Sequence, residues 1–108
     1  SKMQLVLETI IDMNIDERYT IHNTVERPLY NLLFYTKDGL KTNYDPKTNF
    51  KCQMKGQGVT LDLNVDKTKK DFVQFTHKES DMKQFRALKG GDYKLVVSDD
   101  KETVEYQL

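Results

Sequence analysis

Asp62-Leu63-Asn64-Val65-Asp66 has the spacing of the first half of a calcium-binding loop. Oxygen donors at alternate positions suit a hard cation. Such a loop also needs glycine at its sixth position for the sharp turn and glutamate at its twelfth. Lys67 and Val73 stand there, and the apolar residues between the acids fit strand alternation instead. His22 and His77 are the only histidines and Cys52 the only cysteine, so a closed zinc site would have to recruit carboxylates from elsewhere. The two histidines are expected on strand surfaces. Lysines flank Cys52, a setting that lowers a thiol pKa. No motif sets a His or Asn beside it, so Cys52 is read as a small half-buried side chain. Gly56-Gln57-Gly58 lacks the third glycine and the following helix of a phosphate loop, and no serine occupies a nucleophile elbow. No catalytic residue, cofactor or metal ligand is assigned, and the chain is read as non-enzymatic.

One binding chemistry has more body. Lys47, Lys51, Lys55, Lys67, Lys69 and Lys70 are interleaved with Tyr44, Phe50, Phe72 and Phe75. Strand-borne aromatics between lysines can stack the bases and neutralise the phosphates of a single strand. The basic segment 47–70, with Phe50 and Phe72 as stacking residues, is therefore the alternative site. Lysines also guard strand edges and turns against unwanted pairing, and these aromatics fall mostly on the alternating apolar face, which favours a structural role. Charge agrees only locally. Residues 47–89 carry ten basic and five acidic side chains between acidic flanks, while the whole chain has 17 of each sign, so there is no global pull toward nucleic acid or membrane.

The elements that would position these residues are strands. A chain of 108 residues is one domain, 1–108, large enough for one core. Met3 to Asp12 allows a helix with Leu7, Ile10, Ile11 and Asn14 on one side, but its β-branched residues favour a strand, with a turn at 14–18 and a second strand from Tyr19 to Val25. Leu29 to Thr36 is a third, closed by the Lys37-Asp38-Gly39 turn, and Leu40 to Tyr44 is a short return strand. After a loop at 45–49, Phe50, Cys52 and Met54 share one face. Gly56-Gln57-Gly58 turns the chain, and Val59, Leu61, Leu63 and Val65 share one face of the next strand. Phe72 to His77 is another strand. Residues 78–90 suit either a strand or a short helix with Ser80 as cap, Met82, Phe85 and Leu88 inward, and Gly90 as stop. The final hairpin runs from Tyr93 through the Ser98-Asp99-Asp100-Lys101 turn to Leu108. Seven to nine short strands and at most one short helix predict an all-β fold.

Leu88-Lys-Gly-Gly-Asp-Tyr93-Lys-Leu-Val-Val resembles the entry to strand F of immunoglobulin-like sandwiches, and Leu32-Leu-Phe-Tyr-Thr-Lys-Asp-Gly39 is similar to their strand C. Leu95 and Phe34 stand where many members of that superfamily have Cys and Trp. The resemblance implies an antiparallel two-sheet sandwich without a disulfide, with Tyr93 at a sheet corner and its hydroxyl bonded to backbone near Leu88. The expected core faces carry Ile21, Leu33, Tyr35, Leu61, Leu63, Phe75, Tyr93, Leu95, Val104 and Tyr106.

The function expected is a protein-interaction or structural module working through a sheet face or loops, with a protein partner or larger assembly. The alternative is the single-stranded nucleic-acid-binding domain described above. No apolar run is long enough to span a membrane. A single cysteine and the lack of any Asn-x-Ser/Thr acceptor lean toward a reducing compartment or a non-eukaryotic or viral source. The opening Ser1-Lys2-Met3 suggests a domain excised from a longer chain or the scar of a removed tag.

Overall fold

A computed structural model describes residues 2–7, 28–36 and 38–108, with only the backbone of 2–7. Residues 8–12 of the strand expected from Met3 to Asp12, the turn expected at 14–18, the strand from Tyr19 to Val25, and the core and surface roles expected of Ile21 and His22 lie outside the described residues. Eight strands are described: β1 (Lys2–Leu7), β2 (Leu29–Tyr35), β3 (Lys41–Thr42), β4 (Lys51–Gly56), β5 (Val59–Asp66), β6 (Phe72–His77), β7 (Lys94–Ser98) and β8 (Thr103–Gln107). A 3-10 turn at Glu79–Asp81 leads into one short helix, α1 (Met82–Arg86). Helical spacing therefore wins over strand in that segment: Met82 is buried while Phe85 and Leu88 pack against the core. Ser80 lies inside the 3-10 turn and makes no side-chain cap. None of the described helices is long and apolar enough to cross a membrane.

All strand pairs are antiparallel, in the order β1-β2-β6-β5-β4-β7-β8, with β3 also on β2. The described strands thus form one curled sheet, where two stacked sheets were expected. The reason lies in β5. Its first half, Val59–Asp62, pairs with Gln53–Gly56 of β4, and its second half, Leu63–Asp66, pairs with Gln74–His77 of β6. The halves that a sandwich would keep as separate sheets are joined through this strand, and the offset of its two partners lets the sheet curl. The strand likened to strand C, β2, lies beside β6 and not beside β7, whereas strand C lies with strand F in immunoglobulin-like sandwiches.

The inner face of the curl is the core. Tyr30, Leu32 and Phe34 of β2, Cys52 and Met54 of β4, and Leu61 and Leu63 of β5 are buried there. Val73 and Phe75 of β6 and Leu95 and Val97 of β7 complete it. Tyr93 and Tyr106 pack on this cluster half-buried, and Val104 is half-buried. Leu33 and Tyr35, expected in the core, point to the opposite face. Strand β2 carries large apolar residues on both faces, with Asn31 the one polar residue on the outer side, so its alternation is weak, and a shift of one residue exchanges the faces. Cross-strand register decides the matter: Leu32 sits opposite Val73 and Tyr30 opposite Phe75.

Two turns follow directly from residue type. Gln57 and Gly58 both take positive φ, 50° and 76°, which is the backbone of a type I′ two-residue hairpin. Gly56 meets a different demand. A Cβ there would lie 2.5 Å from both the Asp92 carbonyl oxygen and Tyr93 Cδ1, so only glycine lets the corner at Tyr93 close onto β4. The Tyr93 hydroxyl donates to the Lys89 carbonyl, the upstream bond expected of a corner tyrosine. Tyr93→Phe is expected to cost about 1 kcal/mol in a denaturant melt, since water can partly replace a bond at the surface. An unchanged midpoint would show that the hydroxyl contributes nothing.

A candidate binding cleft

The curl brings two loops together at one end of the sheet. They enclose a cleft of about 470 Å³. Its floor is aromatic: Phe34 from β2, Tyr44 after β3 and Phe50 before β4. The three rings form a triangle with centroids 5.3, 5.8 and 5.9 Å apart, the tilted and edge-on contacts aromatic rings prefer. Phe34 is nearly fully buried, while Tyr44 and Phe50 are half-buried.

The first wall is the loop 45–49. Asp45 closes it locally, its Oδ1 accepting the Lys47 amide at 2.9 Å and its carbonyl accepting the Thr48 amide at 2.9 Å. Lys67 fastens it from behind, donating from Nζ to the carbonyls of Pro46 at 3.0 Å and Thr48 at 2.8 Å. The Tyr44 hydroxyl reaches the carbonyls of Lys67 at 2.9 Å and Lys69 at 2.8 Å, which fixes its ring on the floor. Burial, with Asp66 nearby, raises the Tyr44 pKa, so this hydroxyl keeps the proton it donates. The second wall is the β7–β8 turn. Asp99 Oδ1 accepts the amides of Lys101 and Glu102, both at 2.8 Å, and the Asp99 amide donates to the Glu102 carbonyl at 3.0 Å. A long contact of 3.5 Å from the Asn49 amide to Asp100 Oδ2 ties the walls together. Asp45, Asp99, Asp100 and Glu102 line the rim with Lys47 and Lys101, four carboxylates against two ammonium groups.

The basic segment is dispersed by this arrangement. Lys47 and Phe50 line the cleft. Lys67 is spent on loop carbonyls, and Lys69 and Lys70 are exposed in the turn before β6. Lys51 and Lys55 alternate with the buried Cys52 and Met54, which places them on the outer face of β4. Phe72 lies on the outer face of β6 opposite Leu33, whereas Phe50 faces the inner aromatic cluster. The outer face around these lysines has mixed charge: Lys94 pairs with Glu105 at 3.0 Å, and Gln53 bonds Asp62 at 2.7 Å.

The other candidates resolve as follows. Asp62, Asn64 and Asp66 lie along extended β5, and Asp66 Oδ1 accepts from the Thr68 amide at 2.8 Å and hydroxyl at 2.6 Å. Those bonds hold the Asp66 pKa below its ordinary value. No three His, Cys, Asp or Glu side chains gather as a metal-binding group among the described residues. Cys52 is fully buried, and burial pushes its thiol up to about 12, which leaves it inert at neutral pH. His77, expected at the surface, is fully buried. It shares the inward parity of Val73 and Phe75, bonds the Tyr30 hydroxyl through Nε2 at 3.0 Å and lies 4.4 Å from the Phe85 ring centroid. Helix α1 covers it, and that helix was the undecided segment of the sequence. Comparison with known protein families, curated proteins and solved structures returns no match for this chain.

Proposed function

We propose that the chain is a non-catalytic protein-interaction module whose contact surface is the cleft between loop 45–49 and the β7–β8 turn. The observation that carries this reading is that both walls are tied down by hydrogen bonds: Lys67 Nζ holds the carbonyls of loop 45–49 from outside the cleft, Asp99 closes its own turn, and the long contact from Asn49 to Asp100 joins the two. A concave site held open in advance loses little entropy when occupied. The half-buried rings offer apolar contact, and the rim offers directional polar groups. The likeness to immunoglobulin-like modules is carried by the Tyr93 bond and adds nothing to the choice of partner. Phosphates are poor occupants, because carboxylates outnumber ammonium groups on the rim and the two proposed stacking rings lie on opposite faces of the sheet.

Titrating isotope-labelled protein with a pool of short peptides of varied composition tests the proposal. Amide shifts are expected to cluster at 44–50 and 99–102. Shifts confined to other surfaces, or none at millimolar peptide, would overturn it. A single-stranded oligonucleotide is expected to leave the spectrum unchanged at about 50 mM salt, where phosphate contacts are strong.

A further inference from the structure

We propose that the cleft takes an arginine side chain presented by a partner protein. This rests on the cleft being the interaction site. Three features of the cleft point to one chemistry. The floor is aromatic, with Tyr44 and Phe50 half-buried in it, and aromatic rings attract a flat cation. The rim carries two more carboxylates than ammonium groups. Lys67 behind the wall trims that excess, but its ammonium is turned to the Pro46 and Thr48 carbonyls. The carboxylates also differ in what they have left to offer. Asp45 and Asp99 each use an oxygen to hold their own turn. Asp100 makes only the long contact to Asn49, and Glu102 is exposed, with its carboxylate bonded to no described residue. A guanidinium satisfies this geometry better than an ammonium. It stacks flat on an aromatic ring, is weakly hydrated, and donates a parallel pair of N–H bonds to one carboxylate. The arginine stem would lie over Tyr44 and Phe50 with its head at Glu102 and Asp100.

Three peptides that differ only at a central residue, arginine, citrulline or glutamate, decide the matter by the same amide-shift titration. Citrulline keeps the shape and most donors of arginine but carries no charge. The arginine peptide is expected to bind at least tenfold more tightly than the citrulline peptide, with shifts at 44–50 and 99–102. The double variant Asp100→Asn, Glu102→Gln alters exposed side chains only, and its unchanged spectrum elsewhere would confirm its fold. It is expected to lose most of the tenfold preference. Equal binding of arginine and citrulline peptides, or tighter binding of the glutamate peptide, would overturn the arginine assignment while leaving the cleft as the site. Silence of all three peptides while the mixed pool shifts the cleft would also overturn it. Silence of the three and of the pool would instead remove the cleft itself.

Discussion

Phe75→Ala is expected to lower the unfolding free energy by about 3–5 kcal/mol, the range for removing a large aromatic from a packed core. Phe75 has no exposed surface and stands at the middle of the curl, opposite Tyr30 on β2 and Val65 on β5. Its strand is paired on both sides and its side chain lies in the buried cluster, so the space it leaves is bounded by packed neighbours. Domains of this size are stable by only about 5–15 kcal/mol, so such a loss brings the variant near the unfolding threshold. Leu40→Ala is the matched control. Leu40 is 67% exposed, and its truncation is expected to stay within about 0.5 kcal/mol. Similar midpoints for the two variants in parallel melts would contradict the core described here.

Acid is expected to weaken the fold through His77. Burial lowers its pKa from 6.5 to about 4, an effect the nearby Asp81 carboxylate only partly offsets. The folded pKa lies below the unfolded one, so between about pH 6.5 and 4 the unfolded chain binds the extra proton. Stability from this group is complete above pH 6.5 and is lost as pH falls through that window. That separation corresponds to about 3 kcal/mol. His77→Gln removes the titration, so its stability should fall less than that of the native chain between pH 6.5 and 4. Parallel pH profiles for the two proteins would show that His77 is not buried uncharged.

Period-two alternation made most strands legible. Leu61 and Leu63 on β5 and Leu95 on β7 were named as core from spacing alone, and they are buried. Alternation says which residues share a face but not which strand lies alongside. The pairing of β2 with β6 and of β4 with β7 therefore had no local signal, and one curled sheet read as two. On β2 the face was hard to read, because Leu29, Leu33 and Tyr35 make the outer side nearly as apolar as the inner and only Asn31 marks it as polar. His77 was misplaced because a lone histidine at a strand end reads as polar, and the helix that covers it was undecided. Lys47 and Phe50 were singled out for a different chemistry, and the turn at Asp99 was read only as a turn. Their meeting depends on long-range register. Lys67 gave no sign of its role either: a lysine in a polar turn looks solvated until the carbonyls of Pro46 and Thr48 are seen beside it.

The claim that supports the rest is that the cleft exists before anything enters it. Backbone amide relaxation on the free protein reads this directly. Residues 44–50 and 99–102 are expected to show order parameters near about 0.85, as rigid as the strands, and Lys67→Met is expected to lower those of 45–49 selectively. Order parameters below about 0.6 at both walls in the native chain would contradict a preformed cleft.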